Sequence, residues 1–218
     1  MGRLKRFNLD KLIAIADAKY LFETGTWKGD GLAYAAKSPF KKLYSSEIID
    51  TVAEKAVNRF RQDGRIEIIH ASSIDALNSH LSQLDGNCVF WLDAHFPGAE
   101  EGLKGYNEVE DEGIKLPLQK EMEIIATRKH KYQDVILVDD LRIYEEGSFD
   151  SGNLPDNVLP PKVRNTQFAE TLFGDSHQII KSFRDEGYLI LIPKSVKQVS
   201  GFRKFLFELQ NGLFKRII

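Results

Sequence analysis

Short apolar runs recur along the chain, and each closes on polar residues at its C-terminal end. Tyr20-Leu21-Phe22 meets Glu23, and Lys42 to Ile48 carries Glu47 near its end. Arg65 to Ala71 leads into Ser72-Ser73, Asn87 to His95 finishes with Asp93 and His95, and Asp134 to Asp140 finishes with Asp139-Asp140. Between these runs the apolar positions switch to helical spacing. Residues 8–18 place Leu9, Leu12, Ile13 and Ala16 together, and Leu32 to Lys37 is closed by Ser38-Pro39. Asp50 to Gln62 shows Val52, Ala56, Val57 and Phe60 on one face before Asp63-Gly64; residues 74–84 and Pro117 to Arg128 continue the alternation. Near-continuous apolar strands separated by helices predict a parallel sheet covered on both faces.

The pattern changes towards the C-terminus. His177 to Phe183 and Tyr188 to Ile192 are separated only by Arg184-Asp185-Glu186-Gly187, too short for a crossover helix, so they predict an antiparallel hairpin. Phe202 to Phe214 predicts a last amphipathic helix, for an intramolecular surface or for a second copy in a homodimer. The expected fold class is α/β, a doubly wound, mostly parallel seven-stranded sheet with a C-terminal antiparallel hairpin. Residues 1–218 are expected to form one domain with its core between 20 and 192.

With 218 residues the chain can bury a sizeable core without staples. Its formal charge of -2 argues against a mainly electrostatic nucleic-acid binder. The single cysteine, Cys88, excludes an intramolecular disulfide and a multi-cysteine zinc site. No run has the length of a membrane span, and the basic start Arg3, Lys5, Arg6 is not followed by a signal-peptide core, so a cytoplasmic location is expected. From Glu100 to Glu112 six acids stand against one lysine, the pattern of a solvated loop; Pro97 to Leu116 would lie beside the ligand edge, where it would also suit a lid. Residues 145–166, rich in Gly and Pro, are expected to form a second long loop there.

The chemistry concentrates where strands end. Glu23-Thr24-Gly25-Thr26-Trp27-Lys28-Gly29-Asp30-Gly31 follows the first strand, and its glycines let main chain turn and approach a nucleoside closely. The spacing E-x-G-x-x-x-G-x-G differs from the dinucleotide fingerprint G-x-G-x-x-G. A plain structural turn would use the same residues. Glu47, 16 residues beyond Gly31, lies near the distance at which a doubly wound fold brings an acid to ribose hydroxyls; the alternative is a cap on the next helix. Because ligands in open parallel sheets bind outside the carboxyl ends of the strands, Glu23, Glu47, Asp93, His95, Asp139 and Asp140 should converge on one crevice.

The glycine loop resembles motif I of the class I S-adenosylmethionine-dependent methyltransferases. Together with Glu47, Trp91-Leu92-Asp93-Ala94-His95-Phe96, Pro117-Leu118 with Glu121 downstream, and Leu137-Val138-Asp139-Asp140, it is similar to small-molecule O-methyltransferases of the macrocin O-methyltransferase kind. The resemblance runs from about Tyr20 to Ile192 and implies a Rossmann-like methyltransferase that uses S-adenosylmethionine on a hydroxyl of a small-molecule acceptor. Carried over, Glu23, Gly25, Thr26, Gly29, Gly31, Glu47 and Asp93 would hold the cofactor, and Ser72 and Ser73 would touch the adenine ring. Ser72 and Ser73 could equally cap the following helix. The family's magnesium-type ion would fall to Asp93, Asp139 and Asp140. Methyl transfer to a hydroxyl needs its proton removed, which points to His95 as base beside Asp93 on chemical grounds. Against this stand bland readings, with the aspartates capping turns, His95 only hydrogen-bonded, and the fold retained as a non-catalytic binding module. Trp27 and Lys28 are bulky for a cofactor loop.

Overall fold

In the computed structural model, residues 3–95, 116–155 and 164–196 are described. Their elements follow from the pattern above. Asn8 caps helix α1 (Leu9–Ala16) by accepting the Lys11 N–H at 3.0 Å, and Asp17 ends it in the left-handed region at φ 49°. That turn frees Ala18 to begin strand β1 (Ala18–Thr24), so the helix is shorter than the spacing over 8–18 predicts. Helix α2 (Asp30–Ala35) and strand β2 (Lys42–Glu47) follow. Next come helix α3 (Asp50–Phe60), strand β3 (Ile66–His70), helix α4 (Ser73–His80) and strand β4 (Asn87–Leu92). Helix α5 (Leu118–Ala126) leads to strand β5 (Val135–Val138). A helix the periodic reading passed over, α6 (Gln167–Phe173), precedes strands β6 (His177–Ser182) and β7 (Tyr188–Pro193). It buries Ala169 and Phe173, one turn apart. The predicted helix 202–214 and nearly all of the stretch 97–116 lie outside the described residues.

The seven strands form one sheet in the order β3-β2-β1-β4-β5-β7-β6. The first five are parallel, while β7 pairs antiparallel with both β5 and β6. Side chains alternate between its two faces. Tyr20, Phe22, Phe90, Leu92, Ile136 and Val138 pack towards α4, α5 and α6. Leu21, Leu43, Val89, Trp91, Leu137 and Ile190 pack towards α1, α2 and the N-terminal residues Leu4 and Phe7. Phe7 lies edge-on to Tyr188 at 5.3 Å and to Trp91 at 5.9 Å, which lays the start of the chain across this face. The buried pair Arg128–Asp134 ties α5 to the amino ends of β4 and β5, on the rim opposite the carboxyl ends. Both layers thus fix the strand ends on which the candidate residues stand.

Candidate functional site

β1 delivers the glycine loop to the neighbouring end of β2. The backbone N–H groups of Gly25 and Thr26 both donate to Ser46 O at 3.0 Å. Thr26 Oγ1 also donates to Ser46 O at 3.1 Å and shares a hydrogen bond with Ser45 Oγ at 2.7 Å. Ser45 in turn donates to Glu23 Oε2 at 2.6 Å. Glu23 is only 2% exposed, held beneath α2, and burial pushes its carboxyl up to about 8 while the Ser45 hydroxyl pulls the other way. A Cβ on Gly31 would stand 2.5 Å from Glu23 Oε1, so that glycine makes room for the acid. Gly25 has φ +82°, and a Cβ there would meet Asp93 O at 2.8 Å. The loop therefore packs directly on the segment leaving β4. Gly29 forms the left-handed entry to α2.

Glu47, at the end of β2, accepts from Trp27 N at 2.9 Å and from Ile49 N at 3.0 Å. It anchors the loop and turns into α3, a role close to the capping alternative, and its carboxylate keeps lone pairs beyond those two bonds. Ser72 is the N-cap of α4, accepting Asp75 N at 3.1 Å. Ser73 opens the helix and is buried.

On the other side of β1 the polar ends of β4 and β5 meet. His95 Nε2 lies 3.0 Å from Asp140 Oδ2, and its Nδ1 is 3.7 Å from Asp93 Oδ1. Asp139 is 1% exposed and neither of its carboxylate oxygens has a hydrogen-bond partner; Asp140 Oδ1 has none either. Burial, then the charges of Asp93 and Asp140, hold the Asp139 carboxyl well above the carboxylate range. For Asp140 burial acts upward, but His95 and Arg142 outweigh it and keep the carboxyl low. The orphaned oxygens are the donor chemistry of a hard cation. Among the described residues, however, no group of three or more His, Cys, Asp or Glu side chains is arranged to hold one.

The strand ends thus bring the predicted residues into two adjoining groups, with Gly25 against Asp93 as the seam. Four neighbours carried no assigned role in the sequence. Ser45 and Ser46, two small polar residues at the carboxyl end of strand β2, were a legible signal. Glu121 on α5 is 1% exposed, and Tyr144, beyond β5, lies within electrostatic reach of Glu121, Asp140 and Asp93. Nothing in the spacing marks Tyr144.

Among the described residues no helix is long and apolar enough to cross a membrane. No protein-family model matches the sequence, and no curated protein matches it either. Solved structures do match. A Staphylococcus aureus protein named as a caffeoyl-CoA O-methyltransferase superposes with a TM-score of 0.59 at 18% identity, over 88% of this chain and 84% of that one. An O-methyltransferase from Bacillus cereus, solved in complex with SAH, gives 0.55 at 13% identity, over 89% and 82%. An rRNA methylase from Streptococcus thermophilus gives 0.50 at 13% identity, over 89% and 98%. Strand order, terminal hairpin and these superpositions agree that the chain has the fold of the class I S-adenosylmethionine-dependent methyltransferases, with O-methyltransferases among its structural neighbours.

Proposed function

We propose that the protein transfers the methyl group of S-adenosylmethionine to a hydroxyl of a small molecule such as a sugar or natural product. The observation that carries this is the junction at Gly25. There the glycine loop of β1, anchored on Glu47 of β2, meets the Asp93 to His95 segment after β4. A nucleoside laid along that junction has an acid for its ribose hydroxyls on one side. On the other it has a histidine that can take a proton from an acceptor oxygen.

In this reading Glu47 and the loop amides hold and orient the cofactor, while Glu23 sets the shape of the loop from beneath. Asp140, 3.0 Å from Nε2, orients His95 so that Nδ1, on the side of Asp93, would receive the hydroxyl proton as the oxygen attacks the methyl carbon and the carbon–sulfur bond breaks to release S-adenosylhomocysteine. A divalent, magnesium-type ion belongs to the same proposal. Asp93, Asp139 and Asp140 would hold it, with the two oxygens of Asp139, which accept no hydrogen bond, as support. When bound it would supply Lewis acidity towards the acceptor oxygen.

Isothermal titration with S-adenosylhomocysteine tests the cofactor. Saturable binding is expected, and absence of heat at millimolar ligand would end the proposal. Adding magnesium to the S-adenosylhomocysteine complex tests the ion separately. Binding that is lost in Asp139→Asn supports it, and no magnesium binding removes the ion while leaving the cofactor.

A further inference from the structure

Two residues past Asp140, in the short 3-10 helix Leu141–Ile143, Arg142 stands at the carboxyl rim with 23% of its side chain exposed. Its backbone is fixed. The Leu141 N–H donates to Gly187 O at 3.0 Å and the Arg142 N–H to Glu186 O at 3.1 Å, which ties this turn to the hairpin between β6 and β7. The guanidinium is held differently. Its Nε is buried, donates to no acceptor, and lies 3.7 Å from Asp140 Oδ1, beyond hydrogen-bond reach. Asp140 is already engaged through its other oxygen, 3.0 Å from His95. An arginine at the same hairpin shows what a committed counter-ion looks like. Arg6 closes on Asp185 as a fork, with Nε to Oδ2 at 2.9 Å and Nη2 to Oδ1 at 2.7 Å. At the opposite rim Arg128 grips Asp134 in the same way, at 2.6 and 3.2 Å. Arg142 thus lends Asp140 its charge without a hydrogen bond. A guanidinium set into the rim without acceptors for its donors is costly to the fold, a cost that is removed if a ligand brings the oxygens.

The inference rests on the reading that a methyl group passes to a hydroxyl beside His95. We propose that Arg142 receives an oxyanion of the acceptor, a carboxylate or a phosphate, so that the substrates are hydroxylated acids or phosphate esters rather than neutral sugars. With the hydroxyl at His95 and the oxyanion at Arg142, the acceptor lies across Asp140, which touches His95 with one oxygen and faces Arg142 with the other. The planar guanidinium edge matches either oxyanion through two parallel N–H···O bonds. Holding the acceptor at this second point fixes the direction of its hydroxyl towards the methyl group.

The test follows the arginine Nε–H signals of the full chain by NMR, free and with S-adenosylhomocysteine, as acetate or inorganic phosphate replaces chloride at constant ionic strength. The Arg142 signal, identified by its absence in Arg142→Lys, should move saturably with at least one of the two anions. Which of them moves it distinguishes a carboxylate from a phosphate. Arg142→Gln, with circular dichroism confirming its fold, should weaken that anion about 10- to 100-fold in isothermal titration and leave S-adenosylhomocysteine affinity unchanged. A signal that neither anion moves overturns the proposal, as does anion binding that survives in Arg142→Gln. If the variant loses S-adenosylhomocysteine instead, the guanidinium serves the carboxylate of the cofactor and the proposal is equally overturned. A wild type that binds no S-adenosylhomocysteine removes the cofactor reading, and the anion titration of the free chain separates that failure from this one.

Discussion

The backbone N–H of Trp27 donates to Glu47 Oε2 at 2.9 Å, binding a glycine loop to the end of the neighbouring strand across 20 residues of sequence. Trp27 takes φ +43° to make that bond, a conformation a bulky residue adopts only when its surroundings hold it. Removing the acceptor should therefore release the loop. Glu47→Ala should cost roughly 1–3 kcal/mol of stability, since it leaves two backbone donors unpaired, and should weaken S-adenosylhomocysteine binding at least about 10-fold. Urea unfolding and calorimetry read the two effects, and unchanged affinity would remove Glu47 from the site.

Gly25→Val places a β-branched side chain at φ +82° and aims its Cβ at Asp93 O. The backbone strain alone amounts to roughly 1–3 kcal/mol, and the segment carrying Asp93 must shift to make space. Thermal unfolding should show the loss, and S-adenosylhomocysteine binding should disappear. Wild-type affinity in this variant would mean that the junction is not where the nucleoside lies.

Glu23 makes stability depend on pH in the sense opposite to an ion-paired acid. Below about pH 4.5 its carboxyl is protonated in both the folded and the unfolded chain and contributes no pH dependence. Between there and about 8 the folded protein keeps a proton that the unfolded chain has released. Stability should fall as pH rises through that window, by at most roughly 1.4 kcal/mol per pH unit from this group. Glu23→Gln removes the dependence, so its stability relative to wild type should climb with pH in urea unfolding. A difference that stays flat would show Glu23 to be ionised in the folded protein.

At the opposite rim, Arg128 pairs with Asp134 and donates to Leu84 O at 3.1 Å and Gly86 O at 2.5 Å. Arg128→Met strips a buried carboxylate of its partner and should destabilise the protein by roughly 3–5 kcal/mol, with the affinity for S-adenosylhomocysteine retained in the folded fraction. A loss below about 1 kcal/mol would mean that water replaces the guanidinium.

The fold was legible because strands and helices differ in period, and because the turn Arg184 to Gly187 is too short for anything but a hairpin. α6 was not, since its seven residues carry only one buried pair and sit between a loop and a strand. The site was legible as a set of polar strand ends, but the role of each residue depended on which neighbour it met. Glu23 looked like an acid above a strand, yet Gly31 and Ser45 draw it under α2. Ser72 proved to be a helix cap, a use that local hydrogen bonding competes for at any strand-to-helix turn. Glu121 was visible only as part of the motif after Pro117-Leu118, and Tyr144 comes near Asp140 and Asp93 through packing of the segment after β5, a contact whose range leaves no periodic trace.

Crystals of the protein soaked with S-adenosylhomocysteine offer the most direct measurement. Density for the nucleoside along the carboxyl ends of β1, β2 and β4 is expected, with ribose hydroxyls on Glu47, the sulfur towards His95 and the base towards Ser73. A ligand bound at any other edge of the sheet, or soaked crystals in which packed side chains still fill the junction between Gly25 and Asp93, would contradict a methyltransferase site there.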